Sequence, residues 1–377
     1  MKDGRKETQR QQLQAKVNSL RSDLDHADTL ADEGDVEGAQ EGLRDLESRL
    51  TSAKETAAQH GFDDLREEIG TLERECEERL MEVLEQLQAY PIPDRIPRAP
   101  DVSVDYDALT DEESIGAGGT SDVTKATLST ATGDVQLAIK RPRMAGTLHT
   151  DAVESLLEEA ETWDKIDDHD HIVGVVDYGS QPVPWIAMEY MDAGHLGEHA
   201  GQMEMPQALW TALNVTDGIY YAHRRGIAHL DLKPENILFR TVEDSWDVPK
   251  VADWGLAKHL LEHSKSVEGM SINYAAPEQF DDEYGQTDDI TDVYQLGAVL
   301  YKLFTGRPPF RGQPFKVVNM VKTDRPTPPS EIAEVPEGLD DILLTALAKE
   351  KDNRYDDIVY LRDDLQELFD NLKRSVR

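Results

Sequence analysis

Residues 229–236 read HLDLKPEN and place an aspartate, a lysine and an asparagine within one short stretch, with a proline among them. Charged and amide side chains at that density, beside a proline that lacks a backbone donor, suit a rigid loop better than a helix. An apolar residue, Leu230, separates His229 from Asp231. Further on, VADWG (251–255) sets Asp253 between a β-like run and Gly255, so that its carboxylate can project from a turn. Upstream, SIGAGGTSDV (114–123) gathers Gly116, Gly118 and Gly119 ahead of Val123. A glycine loop lets backbone N–H groups approach phosphate oxygens, although taken alone such a cluster is also an ordinary hairpin turn. LAIK (137–140) then ends an alternating strand on Lys140, and the acidic, helix-compatible stretch 149–166 follows. A lone lysine there reads as a solvated edge residue, and most of the carboxylates as a wetted helix face.

Together these groups describe one chemistry. Mg²⁺ prefers oxygen ligands and shares them with substrate phosphates, and Asn236 and Asp253 supply such oxygens. Lys140 and Lys233 can neutralise phosphate charge, which leaves Asp231 suited to accept a hydroxyl proton. The set fits phosphoryl transfer from a nucleotide, where catalysis is mainly positioning and charge stabilisation.

The ordered series Gly116-x-Gly118, Lys140, HLDLKPEN, DWG, AAPE (275–278) and DVYQLG (292–297) resembles the catalytic domain of Ser/Thr protein kinases, over residues 108–371. The resemblance implies an α+β, bilobal protein-kinase fold, with a small β-rich N-lobe at 108–190 and a larger helical C-lobe at 191–371. It implies ATP and Mg²⁺ as cofactors, with Mn²⁺ as an alternative, and protein substrates that can include the chain itself. Lys140 would contact the α- and β-phosphates, paired with Glu159, for which Glu158 and Glu161 are the alternatives. Asp231 would be the catalytic base, Lys233 would touch the transferred group, and Asn236 and Asp253 would bind the metal. Ile115, Gly116, Gly118, Val123, Ala138, Lys140, Glu189 and Met191 would form the nucleotide site, with Met188 as gatekeeper and Glu189 to Met191 as hinge backbone. Glu278 would pair with Arg354, and Asp292 would brace the catalytic loop.

Four positions depart from the family pattern. Ser121 replaces the third loop glycine, and Ser271 stands where threonine is usual. Trp254 replaces a phenylalanine and needs room against the helix carrying Glu159, beside Trp163. Leu230 stands where many kinases carry an arginine that is held by a phosphate on the activation loop. Leucine cannot make that contact, so the enzyme is expected to be constitutively active or controlled from elsewhere, whether or not Ser264 and Ser266 are phosphorylated. The alternative is a pseudokinase or nucleotide-binding scaffold that signals through its N-terminal helices.

Those helices occupy residues 1–90, which are almost free of proline and carry leucines at helical spacing: Val17, Leu20 and Leu24, then Leu43, Leu46 and Leu50, then Leu65, Ile69 and Leu72. Breaks near 32–35 and 60–64 imply two or three helices folded as an antiparallel hairpin or coiled coil, a candidate dimer or adaptor element over 5–90. The proline-rich stretch 91–107 reads as a semi-rigid linker.

With 76 acidic against 39 basic residues, the net charge is −37, spread along the whole chain. Such a surface repels nucleic acids and anionic membranes as main partners. Its self-repulsion fades at molar salt, where the Debye length is about 3 Å, so a salt-rich, halophilic cytoplasm is expected. The single cysteine, Cys76, excludes an intrachain disulfide and reads as a small buried residue. No apolar run approaches a membrane span and the charged start is not a secretory signal, which points to a cytoplasmic protein.

Overall fold

The computed structural model describes residues 2–32, 35–87, 90–117, 121–143, 150–254 and 271–375. Two compact units make up the chain, Met1–Tyr90 and Pro91–Arg377. Among the described residues no helix is long and apolar enough to cross a membrane.

The first unit holds α1 (Lys2–Asp32), α2 (Val36–His60) and α3 (Asp63–Leu87). Asp35 caps α2 by accepting from the Gly38 N–H at 3.0 Å. Gly61, with φ +66°, ends it in the left-handed conformation that glycine adopts without a Cβ clash. The periodic leucines of all three helices meet in one core with Ala39, Ala53, Ala57 and Phe62. This is a three-helix arrangement rather than a two-helix hairpin, because α3 adds its own apolar face to that core. Arg21–Glu68 and Arg79–Asp28 link α1 to α3 at 3.2 Å each along the solvated rim. Cys76 is buried, with its thiol directed at the Leu43 carbonyl, and burial pushes its pKa up to about 11. Among the described residues of this unit, no large apolar side chain is exposed.

The second unit begins with strands β1 (Leu109–Ala117), β2 (Ser121–Thr130) and β3 (Gly133–Pro142), then α4 (Thr150–Trp163), β4 (Val175–Gly179) and β5 (Trp185–Glu189). They form one antiparallel sheet in the order β1-β2-β3-β5-β4. Helices follow: α5 (Leu196–His199), α6 (Met205–His223), α7 (Asp289–Thr305), α8 (Pro314–Thr323), α9 (Leu339–Ala346) and α10 (Ile358–Ser375). A two-stranded ribbon, β6 (Ile237–Arg240) with β7 (Val248–Val251), lies between α6 and α7 in sequence. Nearly every residue of α7 is buried, the polar Thr291, Asp292 and Gln295 among them. Asp288 starts it in a reciprocal cap with Thr291, and Gly306 at φ +73° ends it. The sheet-based lobe and the helical lobe are the two halves of a bilobal α+β fold.

Residues 91–107 are not a free spacer. The Pro91 carbonyl accepts from Trp246 N–H at 2.6 Å, and the Pro97 carbonyl from Lys250 Nζ at 2.6 Å. Val104 N–H donates to Asp177 at 2.8 Å, and Val102, Val104 and Tyr106 pack into the cluster around Trp185. A Cβ at Gly174 would lie 2.5 Å from the Ala99 methyl, so glycine is required where the segment crosses. Proline lacks a donor but keeps its carbonyl, and here those carbonyls fasten a strap that touches both lobes. A chain beginning at residue 108 is therefore expected to be less stable than one beginning at 91. The loss is on the order of 4 kcal/mol, from the packing that Val102, Val104 and Tyr106 give the cluster around Trp185. Comparing their urea midpoints checks this; equal midpoints would show that the strap adds nothing.

Candidate active site

The site is built on backbone that few residues tolerate. Leu230 and Asp253 both sit at positive φ, +61° and +69°. For a leucine that conformation is strained by roughly 1–3 kcal/mol and persists only when its surroundings hold it. Asp292, fully buried on α7, does much of the holding: its carboxylate accepts from His229 N–H and Leu230 N–H at 2.7 Å each. His223 Nε2 lies 2.8 Å from the same carboxylate. Burial lowers the His223 pKa, and Asp292 more than reverses that, leaving it above the ordinary histidine value. His229 is buried too, with Nε2 3.0 Å from the Ala252 carbonyl, while its Nδ1 accepts from Asp231 N–H at 3.3 Å. This histidine ties the catalytic-loop stretch to the segment carrying Asp253.

Asp231 faces Lys233, with Nζ 2.6 Å from Oδ2. Burial raises its pKa above the usual carboxylate value, and the Lys233 charge opposes the rise. Asn236 Nδ2 donates to the Asp231 carbonyl at 2.9 Å, and the Asn236 carbonyl accepts from Ala252 N–H at 2.8 Å.

Lys140 pairs with Val123 on β2 and Ile186 on β5, which fixes its place in the middle of the sheet. Its ammonium lies 2.5 Å from Glu159 Oε1 and 2.5 Å from Asp253 Oδ1. Of the three acidic candidates on α4, Glu159 is in contact, whereas Glu158 and Glu161 face solvent. Burial alone would lower the Lys140 pKa, but the charges of Asp253 and Glu159 carry it well above its ordinary value. Burial raises Asp253, and Lys140 more than offsets it, so the carboxylate stays ionised far into acid. Glu159 is raised, because burial there outweighs Lys140 and Asp253 adds like charge.

Ala138, Met188 and Met191 are buried, Gly116 and Val123 are half-buried, and Ile115 is exposed at the open edge. Glu189 N–H donates to the Gly174 carbonyl at 3.0 Å, so that donor is already engaged. Its carboxylate is buried against Lys250 at 2.7 Å. Gly118, Gly119, Gly255, Ser264 and Ser266 lie outside the described residues. Trp254 is fully buried, and its ring neighbour is His229, with centroids 4.8 Å apart. The Trp163 indole N–H instead donates to the Val173 carbonyl at 2.6 Å.

Four residues of this architecture escaped the sequence reading: Lys250, His223, Gln279 and Gln295. Gln279 directly follows AAPE and Gln295 lies inside DVYQLG, so position in a motif was the available signal.

Comparison with known proteins agrees with this arrangement. The protein kinase domain model matches residues 109–360. The serine/threonine-protein kinase PknB of Mycobacterium leprae is 34% identical over 211 residues, which is 52% of this chain and 33% of the relative. PrkC of Bacillus subtilis is 31% identical over 266 residues, 68% of this chain and 40% of the relative. A probable serine/threonine-protein kinase of Clostridium perfringens, CPE1738, is 35% identical over 208 residues, 52% of this chain and 29% of the relative. The chain thus spans about a third of the length of the curated relatives it matches. The matched domain takes in the loop of Asp231, the strand of Lys140 and the turn of Asp253, and the chain belongs to the protein kinase family, with a catalytic domain of the kind these Ser/Thr kinases carry.

Proposed function

We propose that the chain is an ATP-dependent Ser/Thr protein kinase that transfers the γ-phosphoryl group to protein hydroxyls. One observation carries the reading: the Lys140 ammonium lies 2.5 Å from both Glu159 and Asp253. Phosphoryl transfer in this family needs the strand lysine, the helix glutamate and the metal-binding aspartate in place together. A domain that had lost catalysis has no need to keep all three.

The donor set fits a hard divalent cation. Asn236 uses Nδ2 on the Asp231 carbonyl, leaving Oδ1 as its acceptor oxygen, and Asp253 has one oxygen beyond the one facing Lys140. Asn236 and Asp253 would hold Mg²⁺, or Mn²⁺ in its place. When bound, ATP and the cation supply the transferable phosphoryl group and neutralise its charge. Lys140 holds phosphate oxygens, and Lys233 keeps Asp231 oriented beside them. Asp231 takes the proton of the substrate hydroxyl as its oxygen forms the bond to phosphorus and the bond to ADP breaks. An open cavity of about 400 Å³ lined by Lys233, Glu235, Ser271, Asn273, Tyr274 and Lys302 is the place for the polypeptide to be modified.

Leu230 is buried and apolar, so no arginine at that position waits for a loop phosphate. The kinase is accordingly of the kind that is active without one or is governed from outside the catalytic loop. In this reading residues 5–90 serve as an adaptor or dimer contact, and the reaction is cytoplasmic, where ATP is supplied. The test is transfer from γ-labelled ATP with Mg²⁺ at molar salt, to the chain itself and to a basic, hydroxyl-rich protein. Labelled phosphoserine or phosphothreonine is expected. Nucleotide binding with no transfer would instead favour a pseudokinase that signals through its helices.

A further inference from the structure

The strained Leu230 backbone is gripped from two sides, and only one grip is Asp292. The other is a pair of glutamines. Gln279 Nε2 donates to the Leu230 carbonyl at 3.0 Å, and Gln295 Nε2 donates to the same carbonyl at 3.1 Å. Gln295 Oε1 accepts from Leu232 N–H at 3.0 Å. Gln279 Oε1 accepts from Ala276 N–H at 2.9 Å and from Gln295 Nε2 at 2.8 Å. Each amide therefore faces one backbone donor and one backbone acceptor, which fixes its orientation without ambiguity. The two backbone groups flanking Asp231, the Leu230 carbonyl and the Leu232 N–H, are both held by this pair. Its far end holds Ala276, in the segment after the activation loop.

We propose that Gln279 and Gln295 are positioning residues that lock the catalytic loop to the 275–279 segment without a phosphate. The inference rests on the kinase reading above. An arginine at 230 would be tied to the activation loop only through a phosphate, which titrates and can be removed. Here the link is made by neutral amides from α7 and from the segment itself, buried or half-buried, and is present whatever the modification state. Leucine at 230 needs no charged partner, and its carbonyl receives the two bonds instead.

The experiment uses the full chain treated with phosphatase, as wild type, Gln279→Met and Gln295→Met. These variants keep the side-chain length and remove the amide. Two readouts are taken: kcat and KM for ATP per folded molecule, and hydrogen exchange of the Leu232 and Ala276 amides. The expected result is a kcat lower by about ten- to a hundredfold, as follows from a displaced catalytic group, with KM for ATP within about twofold of wild type. The two amides should lose protection in both variants. Unchanged kcat in an active enzyme overturns the inference while leaving the kinase reading intact, as does wild-type activity that vanishes on phosphatase treatment. If the wild type transfers nothing under any condition, the kinase reading fails. The exchange arm then decides the clasp alone, with unaltered protection overturning it.

Discussion

Asp231→Asn is expected to lower phosphoryl transfer by about 10²–10⁴-fold while leaving nucleotide binding near wild type. Asparagine has the same shape and cannot take a proton. The bonds that shape the loop here are made by backbone: Asp231 N–H to His229 Nδ1, and the Asp231 carbonyl from Asn236 Nδ2. The variant should therefore fold, and the loss should appear in kcat rather than in nucleotide affinity, which the proposed site assigns to Lys140 and the hinge. The pH dependence follows from the same geometry. Burial raises the Asp231 pKa above the ordinary carboxylate value, and Lys233 opposes it. Only the ionised form accepts a proton, so the rate falls as pH drops through that raised value, on a limb displaced toward neutrality. Lys233→Met removes the opposing charge and should move the limb to still higher pH. Steady-state rates of the three proteins across the acid range check both statements. An Asp231→Asn enzyme that transfers at the wild-type rate would remove Asp231 from the chemistry.

How much of this could be read in advance depended on whether a residue's role is local. Asp231, Asn236 and Asp253 lie in loops whose proline, glycine and polar density announce themselves, so the site was legible as a set. Glu159 was harder, because the spacing from Lys140 does not give the phase of α4. Burial does: Leu156, Ala160 and Trp163 face inward, and Glu159 lies on that face three residues after the first and four before the last. Glu158 and Glu161 fall on the other side. The ring contact between Trp254 and His229, with centroids 4.8 Å apart, joins residues 25 positions apart in the chain, which motif spacing alone does not reveal. The strap at 91–107 read only as a semi-rigid linker because its carbonyl acceptors are common to every sequence, and only the fold brings Trp246 and Lys250 to meet them. The two glutamines carried only their places beside and inside motifs as a signal, and their meeting at Leu230 is set by the fold.

Arg354→Met should cost about 3–5 kcal/mol of stability, the usual penalty for stranding one member of a buried ion pair. Both side chains of the Glu278–Arg354 pair are fully buried. The contact is bidentate, with the two guanidinium nitrogens 2.7 and 2.8 Å from the two carboxylate oxygens. Arg354 also donates to the carbonyls of Ala348, Lys349 and Ile290, and Glu278 accepts from the Thr291 hydroxyl. Replacing both partners of a buried pair by apolar residues is often close to neutral, but those three carbonyls make this case different. Glu278→Leu with Arg354→Met should remain strongly destabilised, because each abandoned carbonyl costs roughly 1–3 kcal/mol. Glu278→Gln strands the guanidinium charge and sets one N–H against the amide NH2. The amide oxygen still accepts from Thr291 and the other guanidinium nitrogen, and the three carbonyls keep their donor, so it should be the mildest of the three. The order expected in urea midpoints at molar salt is wild type, Glu278→Gln, then the two arginine variants. A double variant restored to the wild-type midpoint would show that the pair, and not the arginine's grip on three carbonyls, is what the fold requires. Glu278 immediately precedes Gln279, so the same substitutions should loosen the Leu230 carbonyl and depress kcat before the domain unfolds. A kcat that falls in step with the midpoint across these variants would make the salt bridge part of the catalytic loop's support.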